Sequence, residues 1–139
     1  MMVEKPRTEF LKMLAEDSLP AGRWVAIVLA IPTEWLHERN LADDEVDRVI
    51  SAGAKNLAAV GDGMYARIGW CSYFAVSRKP EDEIRARLAR DMERAGAEME
   101  ECRLWRFSVE PISKMKAPVK LFTEMELNTN EEARKSEPP

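Results

Sequence analysis

The chain has 139 residues, 45% hydrophobic and 33% charged, a size and balance at which one domain buries its own core without a metal or a disulfide. Its 21 basic and 25 acidic residues give a formal net charge of −4, which argues against general nucleic-acid or anionic-membrane binding and leaves room for a local basic patch. One histidine and two distant cysteines, Cys71 and Cys102, make neither a zinc site nor a CxxC pair.

Residues 4–17 carry Phe10, Met13 and Leu14 at helical spacing and predict a short amphipathic helix, broken at Leu19-Pro20-Ala21-Gly22. Residues 23–31, RWVAIVLAI, are apolar on both faces and rich in Val and Ile, the pattern of a central buried strand. The run is far shorter than the roughly 20 residues of a spanning helix, and no signal peptide is visible, so a cytoplasmic location is expected. Pro32-Thr33 stops the strand, and Glu34 to Arg39 make one helical turn. Asp43, Asp44 and Glu45 then open a helix whose apolar stripe is Val46, Val49, Ile50, Gly53, Leu57 and Val60. Gly61-Asp62-Gly63 ends it.

Residues 64–77 alternate as one long strand, with Ile68, Trp70, Phe74 and Val76 on one face and Arg67, Gly69, Cys71 and Tyr73 on the other. Pro80 and the acidic run Glu81-Asp82-Glu83 open a second long helix with the stripe Ile84, Leu88, Met92, Ala95 and Met99. Residues 103–110 predict a strand with Trp105, Phe107 and Val109 on one side and Arg106 on the other. A loop with Lys114 and Lys116 leads to a last predicted strand over 119–127, with Leu121 and Met125 inward and Phe122 outward. Residues 128–139 lack any large apolar side chain and are expected to form a disordered polar tail.

Gly61-x-Gly63 precedes a strand instead of opening a helix, so it is a turn and not a dinucleotide fingerprint. His37 stands beside Glu34 and Glu38 without a visible nucleophile and reads as a surface histidine. Cys71 lies mid-strand, away from any helix N-terminus that would lower its pKa, and reads as a structural thiol. The stretch Arg67 to Val76, RIGWCSYFAV, has Ile68 where the strand of RNA-recognition modules needs glycine, which disfavours nucleic acid as a partner. Lys114, Lys116 and Lys120 with Arg78 and Lys79 form a small basic rim, read as solvated loop charge.

The assembled expectation is an α+β fold: one domain over residues 1–127, with a single mixed four-stranded sheet, two long helices and the order αβαβαββ. If residues 56–60 were a strand, the order would instead be the ferredoxin-like βαββαβ. Right-handed crossovers place both long helices on one face of the sheet, leaving the other face to the short N-terminal helix. That predicts a protein-interaction module, acting through an open sheet face as a homodimer, with Trp24, Arg67, Cys71, Tyr73, Arg106 and Phe122 as the contact residues. The alternative is a small enzyme or small-molecule binder with a pocket near Trp24, Arg67 and Tyr73. No catalytic motif and no metal-ligating set is found, which leans against an enzyme, and no cofactor and no membrane partner are expected.

Overall fold

Residues 25–30 read VAIVLA, and all of them are buried. In the computed structural model, which describes residues 1–136, this run is β2 (Val25–Ala30) of a five-stranded sheet. The other strands are β1 (Val3–Glu4), β3 (Gly63–Gly69), β4 (Ser72–Ser77) and β5 (Arg106–Pro111), in the spatial order β1-β3-β4-β2-β5. β2 is antiparallel to both its neighbours, β4 and β5, and β3 to β4; β1 runs parallel to β3. The helices are α1 (Arg7–Ala15), α2 (Thr33–Glu38), α3 (Asp43–Ala58), α4 (Glu81–Glu98) and α5 (Pro118–Arg134), with a 3-10 turn at Glu100–Leu104.

The α+β class is as expected, with five strands instead of four. β2, α3, β3, β4, α4 and β5 follow the ferredoxin-like βαββαβ order, reached by a route the sequence did not suggest. Residues 56–58 are helical, so Gly61-Asp62-Gly63 is not the hairpin turn. The turn falls at Trp70-Cys71, which splits the expected long strand of residues 64–77 into the β3–β4 hairpin. A register shift between Arg67 and Gly69 accommodates the reversal.

The second correction is α5. Residues 119–127 do not add a strand but belong to a helix that begins with Pro118 in its first turn, where the missing N–H costs nothing. Its buried residues Leu121, Phe122, Met125, Thr129 and Ala133 recur at helical spacing. The helix continues to Arg134, so residues 128–134 of the expected tail are ordered; residues 137–139 lie outside the described residues.

The two faces of the sheet carry separate cores. On one side Ile27, Leu29, Tyr73 and Val109 meet Val49, Ile50 and Leu57 of α3 and Ile84 and Leu88 of α4. Trp105 closes this side, its indole N–H donating to the Val49 carbonyl at 3.0 Å. A Cβ on Gly53 would come within 2.5 Å of the Trp105 ring, so α3 needs a glycine to let the indole lie against it. On the other side Ala26, Val28, Phe74 and Val76 meet Phe10 and Leu14 of α1 and Leu121, Phe122 and Met125 of α5. Both long helices α3 and α4 do share one face, as expected, but α5 and α1 cover the opposite face. The open sheet face on which the homodimer reading rested is therefore absent.

Candidate functional site

The sequence-predicted contact residues divide between the two cores and the two ends of the sheet. Trp24 is 7% exposed beside the α1–α5 core, its N–H bonded to the Pro20 carbonyl and its ring under the Arg78 guanidinium at 4.6 Å. Phe122 is fully buried in the same core, stacked on Phe74 at 4.8 Å. Tyr73 is buried in the opposite core, with the rings of Tyr65 and Trp105 each 6.0 Å away. Trp24 and Tyr73 thus lie on opposite sides of the sheet and line no common pocket.

Arg67, Cys71 and Arg106 lie along the same end of the sheet, where β2 leaves for α2, with β4 and β2 between the two arginines. Ala30 pairs with Ser72 on one side and Arg106 on the other, and Arg67 pairs with Tyr73 across the hairpin. The Arg67 side chain donates to the Gly69 and Trp70 carbonyls and so pins the turn. Arg106 donates to the Arg103 and Trp105 carbonyls and lies 5.2 Å from the Trp35 ring. Burial lowers the Arg106 pKa. Cys71 is buried and donates to the Ile31 carbonyl at 3.1 Å. Burial pushes its thiol pKa up, against the smaller opposing pull of its contacts with Thr33, Ile31 and Arg67. A thiol held protonated is a poor nucleophile. His37 stacks on the exposed Trp70 ring at 4.8 Å, and Ser72 donates to Glu126. The contacts of Cys71, His37 and Ser72 fasten the hairpin to α2 and α5.

The larger concavity is elsewhere. Gly61 and Asp62 follow α3 with positive φ of 84° and 51° and turn the chain into β3. Gly63 then lies so close to β4 that a Cβ would sit 1.8 Å from the Val76 carbonyl oxygen. The turn is fastened to the end of β4: the Ser77 hydroxyl donates to the Gly61 carbonyl at 2.8 Å, and the Arg78 N–H to the Asp62 carbonyl at 2.9 Å. Lys79 follows directly, its N–H bonded to the Ser77 hydroxyl, and stands at the mouth of a cleft of about 710 Å³ between this turn and α4.

One wall of the cleft is Ala59, Val60, Gly61 and Asp62; the other is Glu83, Ile84, Arg87 and Arg90 of α4. Three cations, Lys79, Arg87 and Arg90, therefore face two carboxylates, Asp62 and Glu83. Lys79 lies 3.8 Å from Glu83. Both arginines turn toward Asp91, 8% exposed, with their Nε atoms 2.8 Å and 3.6 Å from its carboxylate. Asp91 thus ties Arg87 and Arg90 together along one side of the cleft. Glu83 lies four residues before Arg87 and Asp91 four after it, so spacing alone does not set its partner. A smaller cleft of about 250 Å³ lies between β5 and α5, lined by Arg106, Phe107, Ser108 and Thr129 among others. Among the described residues no group of three or more His, Cys, Asp or Glu could hold a metal ion.

No family model matches the chain, and no curated protein matches it. Solved structures do match in fold. The GGDEF domain of DgcB from Caulobacter crescentus, in complex with c-di-GMP, superposes with a TM-score of 0.71 at 12% identity, over 96% of this chain and 87% of that one. The fold is GGDEF-like. The FimX GGDEF domain from Pseudomonas aeruginosa gives a TM-score of 0.66 at 14% identity, over 94% and 90% of the two chains. The active GGEEF domain of a diguanylate cyclase from Vibrio cholerae gives 0.64 at 13%, over 94% and 86%. The letters naming those domains spell Gly-Gly-Asp-Glu-Phe and Gly-Gly-Glu-Glu-Phe; neither string occurs here, and no two glycines of this chain are adjacent.

This GGDEF-like fold, with both sheet faces covered, overturns the expectation of a protein-interaction module acting through an open sheet face. Both sheet faces are internal, and the structural neighbours share the fold. Among the described residues no helix is long and apolar enough to cross a membrane.

Proposed function

We propose that this chain is a ligand-binding domain that takes an anionic small molecule of the cyclic dinucleotide class into the cleft between the Gly61-Asp62 turn and α4. The observation that carries this reading is the convergence of Lys79, Arg87 and Arg90 on a cleft of about 710 Å³, within the range of small-molecule sites. Arginine guanidinium groups suit phosphodiester oxygens, and Asp91 restricts how far these two can swing. The likeness to GGDEF domains, one of them in complex with c-di-GMP, supplies the first ligand to try.

Calorimetric titration with c-di-GMP tests the proposal. Binding is expected, and Arg87→Gln and Arg90→Gln should each weaken it about tenfold, the loss of one charge-assisted hydrogen bond. Both side chains are partly exposed, so the variants should stay folded. No heat of binding, or binding indifferent to both substitutions, would contradict the reading.

A further inference from the structure

The loop between β5 and α5 presents one large apolar side chain between two exposed lysines. Residues 112–117 carry Lys114 and Lys116, Lys120 follows in the first turn of α5, and Glu110 and Glu124 bound the stretch. At its apex Met115 is 96% exposed, flanked by exposed lysines, with its backbone N–H turned back onto the Ser113 hydroxyl at 3.1 Å. The root of the loop is tied to the sheet end by the Ile112 N–H, which donates to the Trp24 carbonyl at 2.9 Å. That contact brings the loop toward exposed Arg23 and toward Arg78, which lies over the Trp24 ring. Lys116 meets Glu124 at 2.5 Å, so part of its charge is already used.

We infer that this loop is a docking tip for an anionic lipid surface. Met115 at the apex is 96% exposed between two lysines and lines neither cleft. A bilayer accepts such a tip: the thioether enters the headgroup layer while the flanking lysines keep their ammonium groups among the phosphates. Nucleic acid fits less well, because the loop presents no aromatic ring for a base, and the adjacent Trp24 is buried. The charge distribution also sets the orientation. A chain of net charge −4 gains from an anionic surface only where basic side chains are gathered, as at this end. The low overall pI and a basic docking tip are therefore compatible.

Vesicle sedimentation tests the inference. The full chain should bind phosphatidylcholine vesicles containing about 30% phosphatidylglycerol at about 50 mM salt, and should not bind pure phosphatidylcholine. Combining Lys114→Gln with Lys120→Gln should lower partitioning about 25-fold, about fivefold per lysine. Lys55→Gln, on the exposed side of α3, should leave it unchanged. Both native cysteines are buried, so a Met115→Cys variant can be labelled selectively with an environment-sensitive dye. Its emission should shift to the blue on the anionic vesicles alone. Equal binding to both vesicle types, an unaffected lysine double variant or an unshifted dye would each overturn the proposal. So would a chain that ignores anionic vesicles and binds single-stranded RNA through the same lysines. None of these substitutions lies in the α4 cleft, so the c-di-GMP titration reads independently.

Discussion

The Cys71 thiol donates to the Ile31 carbonyl and lies 3.9 Å from the Thr33 hydroxyl, under cover of the hairpin that contains it. Its distance from any long-helix N-terminus is visible in the sequence; the burial that raises its pKa needs the fold. Cys102 is likewise buried with a raised pKa, and so are Tyr65 and Tyr73, in each case chiefly through desolvation. The sign for stability follows from linkage. The unfolded thiols release protons near their ordinary 9.0 and the tyrosines near 10.0, while the folded groups hold theirs to higher pH. Stability from these groups is fully present below the unfolded values and is lost as pH rises through the folded ones. Urea midpoints should therefore stay level near neutrality and fall above about pH 9. A midpoint that rises through that window would contradict the burial of these groups. Thiol reagents at about pH 8 should label neither cysteine without denaturant.

At the scale of elements, the strongest periodic signals were correct and the short ones misled. β2 and the stripes of α3 and α4 could be read directly, because each repeats over several turns or an unbroken apolar run. Residues 119–127 satisfy two periods at once: Leu121, Met125 and Leu127 alternate like a strand, while Leu121, Phe122 and Met125 fit a helix. What decides between them is Thr129 and Ala133, which extend the helical stripe through a segment whose polar composition resembles a tail. The Thr129 hydroxyl makes this possible by donating to the Met125 carbonyl and the Ser108 hydroxyl at 2.7 and 2.9 Å. Phe122 was accordingly placed on the wrong kind of element, and with it the supposed open face. The Trp70-Cys71 turn was hidden for a different reason. It lacks the Asn-Gly or Gly-Gly signature of tight hairpins, and the alternation of Ile68, Phe74 and Val76 continues across it. Deleting residues 128–139 tests the helix. Losing the Thr129 hydrogen bonds and the buried Ala133 methyl should cost about 2 kcal/mol. The melting temperature should then fall on the order of 5–10 °C. An unchanged melting temperature would return the segment to the status of a tail.

For the whole molecule, the class of fold was legible and the site was not. Lys79 was visible as part of a basic rim, yet nothing local connects it with Asp62 or Arg90, which the βαββαβ path brings to one cleft. Arg67, Cys71 and Arg106, expected on an open sheet face, lie at the opposite end of the sheet and spend their polar atoms on backbone carbonyls. The proposed binding function therefore rests on long-range topology more than on any motif. The most direct measurement is an amide chemical-shift titration of the labelled chain with c-di-GMP. The account predicts saturable shifts at Gly61, Asp62, Lys79, Arg87 and Arg90, with Gly69 to Ser72 unmoved. Shifts confined to the Gly69–Ser72 hairpin and α2, with the α4 cleft silent, would contradict it.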